Sequence, residues 1–361
     1  MTTTAPGLRE LVEQRRILVC CGSGGVGKTT TAAALALEAA RAGRRAVVVT
    51  IDPAKRLADA LGLDGLTGTP TKIDGDWPGE LWALMLDTKS TFDDLVVANA
   101  ASPEQGQRIL QNAFYRNISG ALSGTQEYMA MEKLYELHQQ TDFDLVVVDT
   151  PPTRNALDFI DAPRRLSRFL DHRLFRMVTS PGRGIVKAVN VAAQAFLRTV
   201  AKVVGAEVIE DAIAFFQAFE GMEQGFRERA DAVFYLLSDD DTSFVLVASP
   251  RRDTIEEARY FAQKLGEADI SVRALIVNRM HPTFGDGLAE ATAARAATLG
   301  DSDLGGLYRN LADFQLVASR EEHHLAGLAE AVAPAPVVRV PFLSIDVHDM
   351  DGLSQVASHL L

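Results

Sequence analysis

The stretch that most restricts the fold of this chain runs from Gly22 to Thr29 and reads Gly-Ser-Gly-Gly-Val-Gly-Lys-Thr. It fits the pattern G-x-x-x-x-G-K-[ST], in which a glycine-rich turn surrounds a phosphate chain. The apolar run at residues 17–21 predicts a buried strand before it, and the Ala-rich run at residues 30–42 predicts a helix after it. Because the motif requires a strand, a glycine loop and a helix in this order, we predict a phosphate-binding site here.

The residue types in this loop suit a phosphate chain. Glycines let backbone N–H groups turn inward and approach the phosphates without a Cβ in the way. The N-terminus of the following helix adds its positive dipole end. Lys28 can reach the outer phosphates as a point charge, and the Thr29 hydroxyl is placed to bind Mg²⁺.

Length and charge narrow the class of protein. The chain has 361 residues, of which 47% are hydrophobic and 23% charged, as in ordinary soluble globular proteins. A net charge of −12 argues against a nucleic-acid partner. Residues 1–14 do not resemble a signal peptide, and no uncharged apolar run approaches the length of a membrane span. We therefore expect a cytoplasmic protein, and contact with a membrane surface stays open.

Cys20 and Cys21 are the chain's 2 cysteines and are adjacent on the first predicted strand. Neighbours on a strand point to opposite faces, so we expect neither a disulfide between them nor a structural zinc site. Such a pair fits a reducing compartment.

Apolar runs continue along the chain and alternate with helical patterns such as those at residues 256–266 and 353–361. Further strands are predicted at residues 46–51, 81–86, 145–148, 244–248, 274–277 and 337–340. This alternation predicts an α/β fold, the P-loop NTPase type, with a mostly parallel, doubly wound sheet and helices on both faces. Two helical insertions, residues 91–141 and 159–237, are expected to form an α-helical subdomain within a single ATPase domain spanning residues 1–361.

The second insertion carries three patterned segments. Residues 185–204 are amphipathic at helical spacing, and a basic patch precedes and overlaps them. An aromatic face follows, made of Phe215, Phe216, Phe219, Met222 and Phe226. Internal packing is the favoured interpretation of this face, and a groove for a hydrophobic client segment is the alternative. A solvated face is the favoured interpretation of the basic patch, and contact with a membrane surface or with an acidic partner is the alternative. The patch comprises Arg164, Arg165, Arg168, Arg173, Arg176, Arg183 and Lys187.

Two aspartates end predicted strands. Asp149 follows the run at residues 145–148, and Asp52 follows the run at residues 46–51. Ligands of parallel sheets lie beyond the carboxyl ends of the strands, which is also where the glycine loop falls. We therefore predict that Asp149 holds Mg²⁺ together with Thr29, and that Asp52 positions an attacking water.

These motifs resemble those of the ArsA-type ATPases, a P-loop NTPase family with a deviant loop. Members drive an arsenical pump or target tail-anchored membrane proteins. Asp52-Pro53-Ala54 is similar to the family's switch I, and residues 149–153 are similar to its switch II. Residues 149–163 look most like the bacterial branch found in actinobacteria. The resemblance implies a dimeric ATPase that binds ATP and Mg²⁺, with Asp52 and Lys28 as catalytic residues. Its implied loop contacts to ATP are Gly24, Gly25, Val26, Gly27, Lys28, Thr29 and Thr30.

The resemblance also implies where the adenine ring lies. Residues 276–279 look like the family's strand end whose asparagine reads adenine, which here is Asn278. Residues 340–343 look like the loop that covers the ring, through Pro341 and Phe342.

Ser23 departs from the family pattern, which usually has a lysine at this position. In the family that lysine crosses the dimer interface to the partner's nucleotide. A homodimer of this chain would lack the cation on both sides, whereas a heterodimer with a lysine-bearing paralogue would supply it to this chain's nucleotide. The alternatives are that another basic residue substitutes for the lysine or that turnover is slow. Cys20 and Cys21 cannot supply the family's arsenite site or zinc clasp, so an arsenite-stimulated pump subunit is not expected.

Three functional hypotheses follow from the sequence. The first is a switch ATPase whose helical subdomain engages a hydrophobic client or a membrane-associated partner. The second is a catalytically weak, nucleotide-sensing subunit that regulates a paralogous ATPase. The third is a MinD- or ParA-like positioning ATPase, against which the long insertion at residues 159–237 argues.

Overall fold

The computed structural model describes residues 7–52, 55–118, 125–151, 206–344 and 346–361. In these residues one sheet of eight strands has the order β3-β4-β2-β5-β1-β6-β7-β8. All neighbours pair in parallel except β3 and β4, which are antiparallel. The strands are β1 Ile17–Gly22, β2 Arg45–Thr50, β3 Thr71–Ile73, β4 Glu80–Met85, β5 Leu145–Asp149, β6 Thr242–Ala248, β7 Val272–Met280 and β8 Val337–Pro341.

The predicted mostly parallel α/β sheet is therefore confirmed, and each strand predicted from an apolar run is present with ends shifted by a few residues. Strand β3 was missed because it is short and two of its three positions are exposed. A run of three residues with a single buried side chain gives no apolar pattern.

Helices alternate with the strands. The described helices are α1 Leu8–Gln14, α2 Lys28–Arg41, α3 Arg56–Ala60, α4 Thr88–Asn99, α5 Pro103–Gln111, α6 Ala113–Ile118, α7 Thr125–Gln140, α8 Ala206–Ala218, α9 Glu223–Ser238, α10 Arg252–Glu267, α11 Ala289–Leu299, α12 Asp303–Ala331 and α13 Met350–Leu360. Helix α2 is buried along most of its length, because its alanines let it lie close to the sheet. Helix α13 belongs to the same hydrophobic cluster as α2, which fixes the C-terminal segment against it.

The chain divides into two compact units. The first is drawn from Met1–Met85, Leu137–Leu157 and Ser238–Leu361, and the second from Leu86–Glu136 and Asp158–Leu237. The first unit contains the sheet. The arrangement as one ATPase domain with insertions at 91–141 and 159–237 stays a prediction.

Burial supports internal packing for the aromatic face of the second unit. Phe215, Phe219, Met222 and Phe226 are each at most 7% exposed. The rings of Phe219 and Phe226 lie 4.9 Å apart. Nearby, Gln105 Nε2 donates hydrogen bonds to the carbonyls of Ala218 and Glu220, at 2.8 and 3.0 Å. The other two patterned segments, the amphipathic run at 185–204 and the basic patch from Arg164 to Lys187, lie outside the described residues.

Candidate active site

The glycine loop joins β1 to α2 at the carboxyl edge of the sheet. Gly22 and Gly27 have φ of 153° and 93°, which favours glycine at both positions. A Cβ on Gly22 would lie 2.0 Å from the Val247 carbonyl oxygen, and one on Gly27 would lie 2.2 Å from Asn278 Nδ2. The motif glycines are therefore required by both backbone conformation and space.

Helix α2 begins at Lys28, two residues before the predicted start at Thr30. The predicted contacts Gly24, Gly25 and Val26 precede it in the loop. A helix that starts directly after the loop presents its first N–H groups and its positive dipole end beside the loop. This is the arrangement that anion binding at a helix N-terminus needs.

Lys28 folds back over the loop. Its Nζ donates a hydrogen bond of 2.8 Å to the Ser23 carbonyl oxygen, and the side chain is buried. Burial lowers the pKa of Lys28, and the nearby carboxylate of Asp149 partly opposes that effect. A partly desolvated cation held across the loop is available to an anionic group that enters it.

Asp149 is the centre of a hydrogen-bonded cluster at the ends of β1, β2 and β5. Its Oδ2 accepts hydrogen bonds from Thr29 Oγ1 at 2.7 Å and from Thr50 Oγ1 at 2.9 Å. The residue is 1% exposed, and its Oδ1 has no hydrogen-bond partner within the described part of the chain. Burial raises the pKa of Asp149, while the two hydroxyl donors and Lys28 oppose this rise. The structure thus brings the two predicted metal ligands, Thr29 and Asp149, into direct contact.

Asp52 follows β2 and is half-buried. Its backbone N–H donates to Thr50 Oγ1 at 3.3 Å, and its Oδ2 lies 3.5 Å from Arg56 Nη1. Because β2 pairs with β5, Asp149 at the end of β5 and Asp52 just after β2 lie at the ends of adjacent strands. Thr50 was not singled out from the sequence, although a threonine that ends a valine-rich strand was a usable signal.

The predicted adenine residues lie at the ends of β7 and β8. Asn278 Nδ2 donates to the Val26 carbonyl oxygen at 2.9 Å, which ties β7 to the glycine loop. Phe342 follows Pro341, is 57% exposed, and stacks on His281 with 6.0 Å between ring centroids and 9° between planes. Reading of adenine by Asn278 and covering of the ring by Pro341 and Phe342 stay predictions.

His281 was missed by sequence reasoning. Its Nδ1 lies 2.6 Å from Glu321 Oε1, and its backbone N–H donates to Glu321 Oε2 at 2.8 Å. Glu321 belongs to α12, far along the chain from β7, so the sequence gave no sign of this contact.

Cys20 and Cys21 are both buried and free. Burial raises the pKa of both thiols, so neither is poised as a thiolate. Cys21 Sγ instead donates to the Val245 carbonyl oxygen at 3.4 Å. The absence of a bond between the two cysteines agrees with the sequence prediction.

The chain is similar to known proteins over most of its length. The family model described as anion-transporting ATPase matches residues 15–297. The chain belongs to this family. It is similar to ATPase GET3 of Malassezia globosa, 27% identical over 277 residues that cover 76% of each chain. It is also similar to ATPase ARSA2 of Chlamydomonas reinhardtii, 26% identical over 282 residues, 76% of this chain and 71% of the relative.

ATPase asna-1 of Caenorhabditis elegans extends the similarity to almost the whole chain. It is 24% identical over 365 residues, which cover 98% of this chain and 96% of the relative. The resemblance to ArsA-type ATPases is thereby confirmed, and this family member is a nucleotide-binding ATPase. The assignment to a bacterial branch stays a prediction. In the described residues no helix combines the length and the apolar character needed to cross a bilayer.

Proposed function

We propose that this family member hydrolyses ATP in a Mg²⁺-dependent reaction at the carboxyl ends of β1, β2 and β5. The observation that carries the proposal is the cluster in which Thr29 and Thr50 both donate to Oδ2 of buried Asp149. Burial of a carboxylate costs folding free energy unless its oxygens accept hydrogen bonds or bind a cation. Oδ1 of Asp149 has no hydrogen-bond partner among the described residues.

The oxygens present suit a hard divalent cation. Mg²⁺ is usually held by one or two protein oxygens together with waters and substrate phosphates. Thr29 Oγ1 and Asp149 would hold Mg²⁺, directly or through its water shell. When bound, Mg²⁺ neutralises charge on the transferred phosphoryl group.

The remaining residues bind and orient the reactants. Backbone N–H groups from Gly24 to Thr30 hold the phosphate chain, with Lys28 Nζ leaving the Ser23 carbonyl for an outer phosphate oxygen. Asp52 accepts a hydrogen bond from the attacking water and thereby orients it. Asn278, Pro341 and Phe342 hold the adenine end.

Replacing Asp149 by asparagine tests the metal role and gives opposite effects on stability and function. A carboxyl whose folded pKa is raised favours folding most below its unfolded pKa, and this advantage is lost as pH rises through the raised value. Asp149→Asn should therefore raise the melting temperature of the nucleotide-free protein by about 1–3 °C near neutral pH. The gain should shrink as the pH falls towards the ordinary carboxyl pKa.

The same variant should lose the extra thermal stabilisation that Mg²⁺ adds to ATP. Asp142→Asn is the matched control, because the Asp142 side chain is 98% exposed. Thermal melts without nucleotide measure the first effect, and melts with ATP, in Mg²⁺ and in EDTA, measure the second. An Asp149→Asn protein that responds to Mg²⁺ as the wild type does would contradict the proposed metal site.

We further propose an asymmetric dimer in which a partner supplies the cation that Ser23 lacks. Ser23 is 2% exposed and its Oγ has no hydrogen-bond partner in the described residues. A buried neutral side chain cannot carry positive charge to a neighbouring subunit. Hydrolysis in dimers of defined composition tests this proposal.

Nucleotide state is proposed to control a partner, either a hydrophobic client or a membrane-associated protein. The support is chain connectivity: β4 ends at Met85 and the second unit begins at Leu86. Binding of the γ-phosphate can thereby bias the segments that lead into that unit. Equal hydrogen exchange in α8 and α9 with ATP and with ADP would contradict this switch.

Ser23 also favours the alternative of a weakly catalytic, nucleotide-sensing subunit.

A further inference from the structure

Two consecutive carbonyl groups of the glycine loop accept hydrogen bonds from the end of β7. Asn278 Nδ2 donates to Val26 O at 2.9 Å, and Arg279 Nη1 donates to Gly25 O at 3.2 Å. Asn278 lies directly against the loop, since a Cβ on Gly27 would come within 2.2 Å of its Nδ2. The proposed function gives Asn278 a role at adenine but gives Arg279 none.

The backbone at Arg279 is unusual for a residue with a side chain. Its φ is 64°, in the left-handed region that residues other than glycine seldom adopt. The pairing of β7 with β8 shifts register between Val277 and Met280, and Arg279 N–H donates to Asn278 Oδ1 at 2.9 Å. Such a conformation persists only where its surroundings hold it, and it is typical of functional sites.

The Arg279 side chain is exposed, yet its guanidinium is directed to the loop. Among the described residues no carboxylate lies within ion-pair distance of it, and the Gly25 carbonyl is its hydrogen-bond acceptor. A guanidinium offers five donors in a fixed fork, so it holds a carbonyl in a defined direction.

We propose that Arg279 is a positioning residue which, with Asn278, fixes the phosphate-binding conformation of the loop. In a trans peptide the carbonyl of one residue and the N–H of the next point in opposite directions. Holding Gly25 O and Val26 O towards β7 therefore directs the N–H groups of Val26 and Gly27 to the opposite side. These are N–H groups that the proposed function assigns to phosphate, and the inference rests on that function.

Hydrogen exchange in the nucleotide-free protein tests the clamp without relying on activity. Arg279→Gly removes the side chain and relieves the positive φ, whereas Arg279→Ala removes the side chain and keeps the strain. Both should speed exchange in a peptide covering residues 22–29, and both should raise the Kd for ADP about threefold to tenfold. Arg279→Lys keeps an ammonium donor but loses the fixed fork, so both measurements should fall between wild type and the glycine variant.

Arg252→Ala is the matched control, because Arg252 is an exposed arginine of α10 that pairs with Glu256 at 2.8 Å. It should change neither exchange in the loop nor the Kd for ADP. Wild-type exchange and affinity in Arg279→Gly would overturn the proposal, and so would a lysine variant as impaired as the glycine variant. Faster loop exchange in Arg279→Gly, combined with undiminished ATP turnover in Lys28→Ala, would support the clamp while refuting the proposed function.

Discussion

Replacing Lys28 by alanine is expected to lower ATP turnover about 100-fold or more, since a preorganised donor to developing charge typically contributes this much. Lys28 Nζ is held 2.8 Å from the Ser23 carbonyl oxygen, across the loop where the phosphates are proposed to bind. Steady-state phosphate release at saturating ATP and Mg²⁺ measures the loss. A fluorescent ATP analogue reports whether affinity falls with it.

The variant should remain folded. Lys28 is buried, and the burial that desolvates its charge also lowers its pKa, so truncation should leave the melting temperature unchanged or higher. Lys72→Ala is the control, because Lys72 lies on exposed β3 and pairs with Glu80 at 2.5 Å. Turnover by Lys28→Ala within threefold of Lys72→Ala would refute the role of Lys28.

Replacing Asp52 by asparagine is expected to lower kcat about 100-fold, which is the low end of the contribution of a positioned acid–base group. Nucleotide affinity should change little, because Asp52 is proposed to contact the attacking water and the phosphate loop is untouched. The substitution also removes the charge that faces Arg56 at 3.5 Å. Exposed pairs of this kind contribute little to stability, so the fold should tolerate the change.

Asp59→Asn provides a control in the same segment, because Asp59 is an exposed residue of α3. It should leave kcat and ADP affinity at wild-type values. An Asp52→Asn enzyme whose loss appears in KM, with kcat preserved, would show that Asp52 binds nucleotide and does not act on the water.

The sheet could be predicted from sequence because its central strands are buried on both faces and read as continuous apolar runs, such as the valines of β2 and β5. The central helices α2 and α10 carry helical spacing, and both were predicted. Helices α11 and α12 were not predicted, and glycines at 305 and 306 interrupt the α12 pattern.

In the candidate site, too, some residues could be predicted from local sequence patterns and others could not. Lys28, Thr29, Asp52 and Asp149 could be predicted because each is adjacent in sequence to a strand end or to the glycine loop. Arg279 and Glu321 could not, because their partners Gly25 and His281 are distant in sequence. Their roles depend on the register of β7 against β8 and on the position of α12.

The measurement that tests the account most directly is ATP hydrolysis in dimers of defined composition. Wild-type chain is assayed alone and mixed with a chain carrying both Ser23→Lys and Asp52→Ala, which can donate a lysine but cannot hydrolyse. The control mixture uses a chain carrying Asp52→Ala alone, and ADP binding checks that each variant folds.

The account predicts slow turnover by the wild type alone, faster turnover with the lysine-bearing chain, and no gain in the control mixture. The added activity must then come from Asp52 of the wild-type chain, completed by the lysine of its partner. Turnover by the wild type alone at the rate of lysine-bearing relatives, unchanged by either mixture, would contradict the asymmetric site.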